Sequence, residues 1–409
     1  RYSHLSEKTY RRHYSQPFAF VEFNQHTISE AIAANADCIS VMDCSFIPKS
    51  GKKTYGLDWF YNGSASRSEK GLEISVIAVV DVAAHRRYTL SVQQTPPTSV
   101  SAPSKGKANK QGKGKGGQGE FPANSSQTFS REHIERICEQ LKQLPERPQS
   151  SQTAEQPSPP TQLVEPDITR IDHYLKQLNQ THPYFPVGVK YLAVDGFYTK
   201  QKFVDGVVAL NLHLIGKLRI DANLRYFYSG TQKPRGRHRK YDGKVSLADL
   251  SHFTLVDELE PHIKLYTGVV WHVSLKRKIR LALLVDTHNP DKTGYVLLFS
   301  TDINLDAKQI LEYYKARFQV EFIFRDAKQF TGLCDAQTRD PKKLDFHFNA
   351  SLTALNLATY DDQLRRPQPD VGQSSPPFSM TSYKRVAFND HLLKRFISEL
   401  DLNPTLIKS

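Results

Sequence analysis

The sequence predicts an α/β fold, and three observations carry that prediction. Apolar runs of strand length recur, among them CISVMD (Cys38–Asp43), GLEISVIAVVDV (Gly71–Val82), RRYTLSVQQ (Arg86–Gln94) and VKYLAVDGFY (Val189–Tyr198). Helical patterns separate and follow them. Two of the runs, CISVMD and VKYLAVD, deliver an aspartate at the same end, Asp43 and Asp195. In open α/β sheets chemistry gathers beyond the carboxyl ends of the strands.

Each element has its own signal. HTISEAIAANAD reads as a short helix with Thr27 or Ser29 as its cap. The stretch between the first two strands is rich in Gly, Lys and Ser and reads as a turn region. From about residue 95 to 166 almost nothing is available to bury, which predicts a disordered low-complexity insertion holding one short helix, Ser130–Leu144. Ile168–Gln180 is predicted helical, KQKFVDGVVAL likewise, and His213–Ile220 a strand. Residues 221–300 are rich in short strands. DAKQILEYYKARFQVEFIFRDAKQF then reads as one long helix, Phe346–Tyr360 as another, and NDHLLKRFISEL as a late one.

The long helix carries two polar faces where a surface helix has one. At about 100° per residue, Tyr314, Arg317, Glu321 and Lys328 fall within a stripe roughly 60° wide. Leu311, Phe318 and Phe322 border it on one side, Val320 and Phe324 on the other. Glu312, Lys315, Gln319 and Asp326 form the expected solvated face. Surface ion pairs at i, i+4 would also place charges on one stripe. Asp-Gly after a strand, as at Asp195–Gly196, is also an ordinary turn signal. The conjunction of Asp43, Asp195 and Glu321 favours chemistry. Three carboxylates without Cys or His suit a hard cation, Mg²⁺ or Mn²⁺. Two such ions could serve phosphoryl transfer.

Composition narrows the partners. The 409 residues carry a net charge of +13, which points to a polyanion, nucleic acid first. No apolar run is long enough for a transmembrane helix, so no membrane partner is expected. The four cysteines, Cys38, Cys44, Cys138 and Cys334, are scattered, which suits a reducing setting and indicates neither a zinc site nor a disulfide framework. No Gly-rich phosphate loop is present, so no nucleotide cofactor is expected.

The spacing Tyr314-x-x-Arg317-x-x-x-Glu321-x-x-x-x-x-x-Lys328 resembles the YREK signature of insertion-sequence transposases of the DDE superfamily. The neighbouring text is similar too: DCSFIPKSGKKTYGLDWFYNG after Asp43, VDGFYTKQKF around Asp195, and STDINLDAKQILEYY leading into the helix. The resemblance implies a ribonuclease H-like mixed sheet flanked by helices, with a β-rich insertion before the catalytic glutamate helix. It makes Asp43, Asp195 and Glu321 the catalytic and metal-binding residues, with two Mg²⁺ or Mn²⁺ ions. It makes Tyr314, Arg317 and Lys328 contacts to the DNA backbone. The implied division is 1–36 as the remnant of an N-terminal helical region, then 37–94, 167–220 and 301–360 as parts of the catalytic domain. Residues 95–166 and 221–300 are its insertions, and 361–409 a tail.

The implied activity is cleavage of double-stranded DNA at transposon terminal inverted repeats and transfer of the freed 3′-hydroxyl to target DNA. The implied assembly is a homodimer in the synaptic complex, in the cytoplasm on the nucleoid. A transposase-derived chain that binds DNA without cutting it is the second reading. Other candidate DNA contacts are the basic run Lys233, Arg235, Arg237, Arg239 and Lys240, and Lys49, Lys52 and Lys53 after Asp43. Trp271 reads as a sheet-packing residue rather than a base-stacking one.

Overall fold

The computed structural model describes residues 6–97, 169–289, 291, 293–366 and 377–400. The apolar runs of the first half form β1 (Cys38–Pro48), β3 (Arg67–Asp81) and β4 (Arg86–Gln94), with a short β2 (Asp58–Asn62) between the first two. The Gly, Lys and Ser-rich turn region therefore contains a strand: in Asp58-Trp59-Phe60-Tyr61-Asn62 only Phe60 is buried, the alternation of a half-buried edge. β5 (Tyr191–Ala193) and β6 (His213–Leu218) follow. The strand expected over Val189–Tyr198 is three residues long, because Asp195 caps a 3₁₀ turn at Gly196–Tyr198. Residues 221–300 supply β7 (Leu224–Phe227), β8 (Tyr241–Lys244), β9 (Thr254–Glu260), β10 (Ile263–His272), β11 (Arg277–Asp286) and β12 (Gly294–Ser300).

All twelve strands join one mixed sheet. Its path runs β2-β3-β1-β5-β6-β12-β11-β10-β7-β8, with β4 added on β3 and β9 on β10. β1 pairs antiparallel with β3, and β1, β5 and β6 run parallel to one another. Helices α1 (Glu7–His13), α2 (Phe20–Ala31), α3 (Arg170–Thr181), α4 (Gln201–Ala209), α5 (Ala307–Ala316), α6 (Gln319–Phe330) and α7 (Pro341–Arg365) complete this unit. Local chemistry starts them: Thr169 and Asp172 form a capping box on α3, and Asp340 caps α7 ahead of Pro341. A mixed sheet with helices of this kind is consistent with a ribonuclease H-like fold. In the second compact unit the described element is α8 (Met380–Glu399), capped by Ser379. The short helix expected at Ser130–Leu144 lies outside the described residues.

Among the described residues, two apolar clusters pack on the sheet. One joins Met42, Leu192 and Leu214 to Tyr174 and Leu178 of α3 and Phe203 and Val207 of α4. The other joins Val79, Tyr88 and Leu90 to Ile28 of α2 and Tyr360 of α7. Burial of apolar surface is the main favourable term. Specific polar contacts fix the register. A bulge in β4 leaves Leu90 unpaired between Thr89 and Ser91. Asn356 of α7 serves both backbone groups of Thr89, at 2.8 and 2.7 Å, and Asn24 of α2 donates to the Leu90 carbonyl.

The expected single long helix is two. It breaks at Arg317–Phe318, where i→i+3 bonds (Phe318 to Lys315, Val320 to Arg317, Glu321 to Phe318) tighten the backbone. Of the expected solvated face, Glu312 and Lys315 are exposed, but Asp326 is not. Asp326 is buried at 2% exposure and pairs with Arg87 of β4 at 2.9 Å, and Arg87 also donates to Gln319. Phe318, expected at an apolar border, is exposed.

Candidate active site

Asp43 and Asp195 come together through strand register. The last parallel pair between β1 and β5 is Val41 with Ala193. Each aspartate lies two residues further along its own chain, so the pleat brings both to the same side of the opening. Asp43 does not end its strand, as the sequence suggested: β1 runs on to Pro48 against β3. What ends before Asp43 is the pairing with β5. The result is a cleft of about 330 Å³ lined by Asp43, Asp195, Lys328 and the β2–β3 turn.

The electrostatics follow from that placement. Asp43 accepts from the Cys44 N–H at 2.8 Å and from Arg317 Nη1 at 2.9 Å. Burial, then the charge of Asp195, pushes its carboxyl up to about 7 against the pull of Arg317. Asp195 accepts from the Phe197 N–H at 2.8 Å. Arg317 Nη2 reaches Glu321 Oε1 at 3.3 Å, so one guanidinium joins Asp43 to Glu321. The Tyr314 ring lies 5.5 Å from the Arg317 guanidinium carbon, and burial raises its hydroxyl pKa. Lys328 donates to the Phe46 carbonyl of β1 at 2.9 Å, and burial lowers its pKa.

Of the residues singled out from sequence, Asp43, Asp195 and Lys328 line the cleft, while Arg317 links Asp43 to Glu321 and lies beside Tyr314. The basic candidates do not join them. Lys49 donates instead to the Ala336 carbonyl. Lys52 and Lys53 are exposed in the turn after β1. Lys233, Arg235, Arg237, Arg239 and Lys240 lie in the β7–β8 connection, between the fifth and sixth strands from β5 in the sheet. At strand spacing that is roughly 30 Å. Arg239 is engaged there with Asp242 and stacks on Tyr228. Trp271 packs beside Tyr241 within the sheet.

The sequence reading missed part of the lining. Glu73 of β3 is buried and accepts from Tyr174 at 2.8 Å, and Cys44 contacts the Tyr198 hydroxyl at 3.0 Å. A lone carboxylate inside the apolar run GLEISVIAVV was the available signal.

The donor set suits a hard cation in type: carboxylate oxygens, with two aspartates whose repulsion a cation would relieve. Among the described residues no three such side chains converge as a group ready to hold a metal ion. Glu321 is instead paired with Arg317 at 3.3 Å.

A mixed sheet with a carboxylate-lined cleft is consistent with a nuclease-type enzyme. Residues 23–264, more than half of the chain, match the family described as DDE superfamily endonuclease, and the chain belongs to that family. Membership implies a DNA substrate. The match includes Asp43 and Asp195 and ends before Glu321. No curated protein matches the chain. Among the described residues no helix is long and apolar enough to cross a membrane.

Proposed function

We propose that the chain is an insertion-sequence transposase of the YREK type. It cuts double-stranded DNA at transposon terminal inverted repeats and joins the freed 3′-hydroxyl to target DNA. The observation that carries this reading is the adjacency of Asp43 and Asp195 at the opening of two parallel strands, with Arg317 and Glu321 facing them. In this reading β7 to β12 are the insertion before the glutamate helix, and the protein works as a homodimer on paired ends.

Asp43, Asp195 and Glu321 would hold Mg²⁺ or Mn²⁺. The bound ions supply Lewis acidity at the attacking and leaving oxygens of the phosphoryl transfer. The protein's own groups do the rest. Arg317 neutralises Asp43 and Glu321 while the site waits. Its planar fork then suits a phosphate of the incoming strand. Release of Arg317 frees both carboxylates in the same movement. Lys328 and Tyr314 steady the neighbouring phosphates. Tyr314 stays protonated at neutral pH and donates a hydrogen bond rather than attacking. Tyr314→Phe should slow cleavage yet leave it measurable, and no tyrosyl–DNA adduct should form.

The test is strand transfer. A DNA end bearing a free 3′-hydroxyl is incubated with the protein, Mg²⁺ and a supercoiled plasmid. Joined product supports the transposase reading. Cleavage without joining would reduce it to a nuclease, and binding with neither would favour a chain that only binds DNA.

A further inference from the structure

The backbone pairing that brings Asp43 and Asp195 together stops short of both. The last parallel pair of β1 and β5 is Val41 with Ala193. Past it the two backbones have different neighbours. β1 continues against β3, while the Val194 N–H donates to the Ile215 carbonyl of β6 at 2.9 Å. The ladder therefore does not set the distance between the two carboxylates, whose like charges repel.

A side-chain hydrogen bond crosses the gap instead: Cys44 Sγ meets the Tyr198 hydroxyl at 3.0 Å. Each partner is tied to one aspartate. Cys44 follows Asp43, and its N–H donates to the Asp43 carboxylate at 2.8 Å. Tyr198 closes the 3₁₀ turn that Asp195 caps, and its N–H donates to the Asp195 carbonyl at 3.3 Å. Strand alternation turns the Cys44 side chain away from that of Asp43. The link thus ties the two backbones together without occupying the carboxylate oxygens.

The surroundings of the link are rigid. The Tyr198 ring is 1% exposed and packs on Tyr174 and Phe203, with centroids 5.4 and 5.1 Å away. Tyr174 of α3 donates to Glu73 of β3 at 2.8 Å, and its hydroxyl also lies at the Cys44 thiol. Glu73 stands opposite Phe46 in the β1–β3 ladder, and Ser75 opposite Cys44. Gln177 of α3 donates to the Ser75 carbonyl at 3.1 Å, which fixes α3 on this part of β3. Buried polar groups are costly unless they are hydrogen-bonded. Here they form one connected set, and it ends at the residues beside the aspartates.

We propose that Cys44 and Tyr198 are positioning residues that set the separation of Asp43 and Asp195, with Tyr174 and Glu73 holding the thiol in place. They act through the aspartates, as outer groups orient the ligands of a metal site. The inference rests on the reading of Asp43 and Asp195 as cation ligands.

The test is Mn²⁺ titration of the metal-free full chain, with the free ion read by electron paramagnetic resonance. DNA binding in EDTA is measured in parallel. Tyr198→Phe removes one oxygen and keeps the ring, Cys44→Ala removes the other half of the link, and Cys44→Ser keeps a polar group there. The wild type should bind Mn²⁺. Tyr198→Phe and Cys44→Ala should each weaken that binding about 10–100-fold, the scale of losses from outer groups. Cys44→Ser should recover most of it. The double variant should lose no more than either single one, because both break the same link. DNA binding in EDTA should stay unchanged throughout. Unchanged Mn²⁺ affinity in Tyr198→Phe would overturn the proposal and leave the cation reading standing. So would additive losses with no recovery in Cys44→Ser, the mark of a merely structural role. No Mn²⁺ binding by the wild type would overturn both.

Discussion

At the scale of single residues, Asp43 is the most consequential group. Its carboxyl binds a proton more tightly in the folded chain than in the unfolded one, because burial and Asp195 oppose its charge. Below about pH 4 both states hold the proton, and above about pH 7 neither does. Between those limits only the folded state holds it, so stability falls as pH rises from about 4 to about 7. The effect is on the order of 2–4 kcal/mol. Denaturant unfolding across that range, without divalent cations, should show the decline, and Asp43→Asn should remove it. Cation binding displaces the same proton, so affinity for Mn²⁺ should rise across the window. The two aspartates were legible in the sequence because each follows an apolar run. Glu73 was not, since a single charge in a strand carries no spacing. The role of Arg317 as the link between Asp43 and Glu321 was also hidden: spacing shows which residues share a stripe, not which of them pair.

Among the elements, α6 decides whether Glu321 and Lys328 reach the cleft. Its anchor is the buried Arg87–Asp326 pair. Breaking such a pair on one side leaves an uncompensated charge and costs about 3–5 kcal/mol. Asp326→Ala should lower the midpoint of chemical unfolding accordingly. An unchanged midpoint would mean that α6 is held by its apolar face alone. Asn356→Ala tests the attachment of α7 to β4, where two buried backbone groups of Thr89 would lose their partner, at about 1–3 kcal/mol each. The helical pattern of α5 and α6 was readable from periodicity, but the break was not. No Pro or Gly marks it, and Asp326 looked solvated because its partner lies more than 200 residues away in sequence.

For the whole molecule, charge and topology give a path for DNA. The cleft lies where β1 and β5 part, and the exposed basic connection between β7 and β8 lies roughly 30 Å along the sheet. That separation corresponds to about nine base pairs of duplex. Replacing Lys233, Arg235, Arg237 and Lys240 by Ala should weaken DNA binding and lower the slope of log K against log salt by up to about 3–4. An unchanged slope would make the run a solvated loop. The longer strands, β1, β3, β4, β10, β11 and β12, were readable because each carries its own apolar run, whereas the polar β8 and β9 carry none. The joining of residues 221–300 to the same sheet through β12 and β6 was not readable, since pairing partners distant in sequence leave no local pattern. The short β2, which forms the cleft wall, was hidden by its polar flanks.

The most direct test of the account is Mg²⁺-dependent nicking of double-stranded DNA by the wild-type chain beside Asp43→Asn and Asp195→Asn. The account predicts nicking that EDTA abolishes and that each variant lowers on the order of 10³-fold, the loss expected when several kcal/mol of transition-state stabilisation is removed. Nicking that survives in either variant would contradict it.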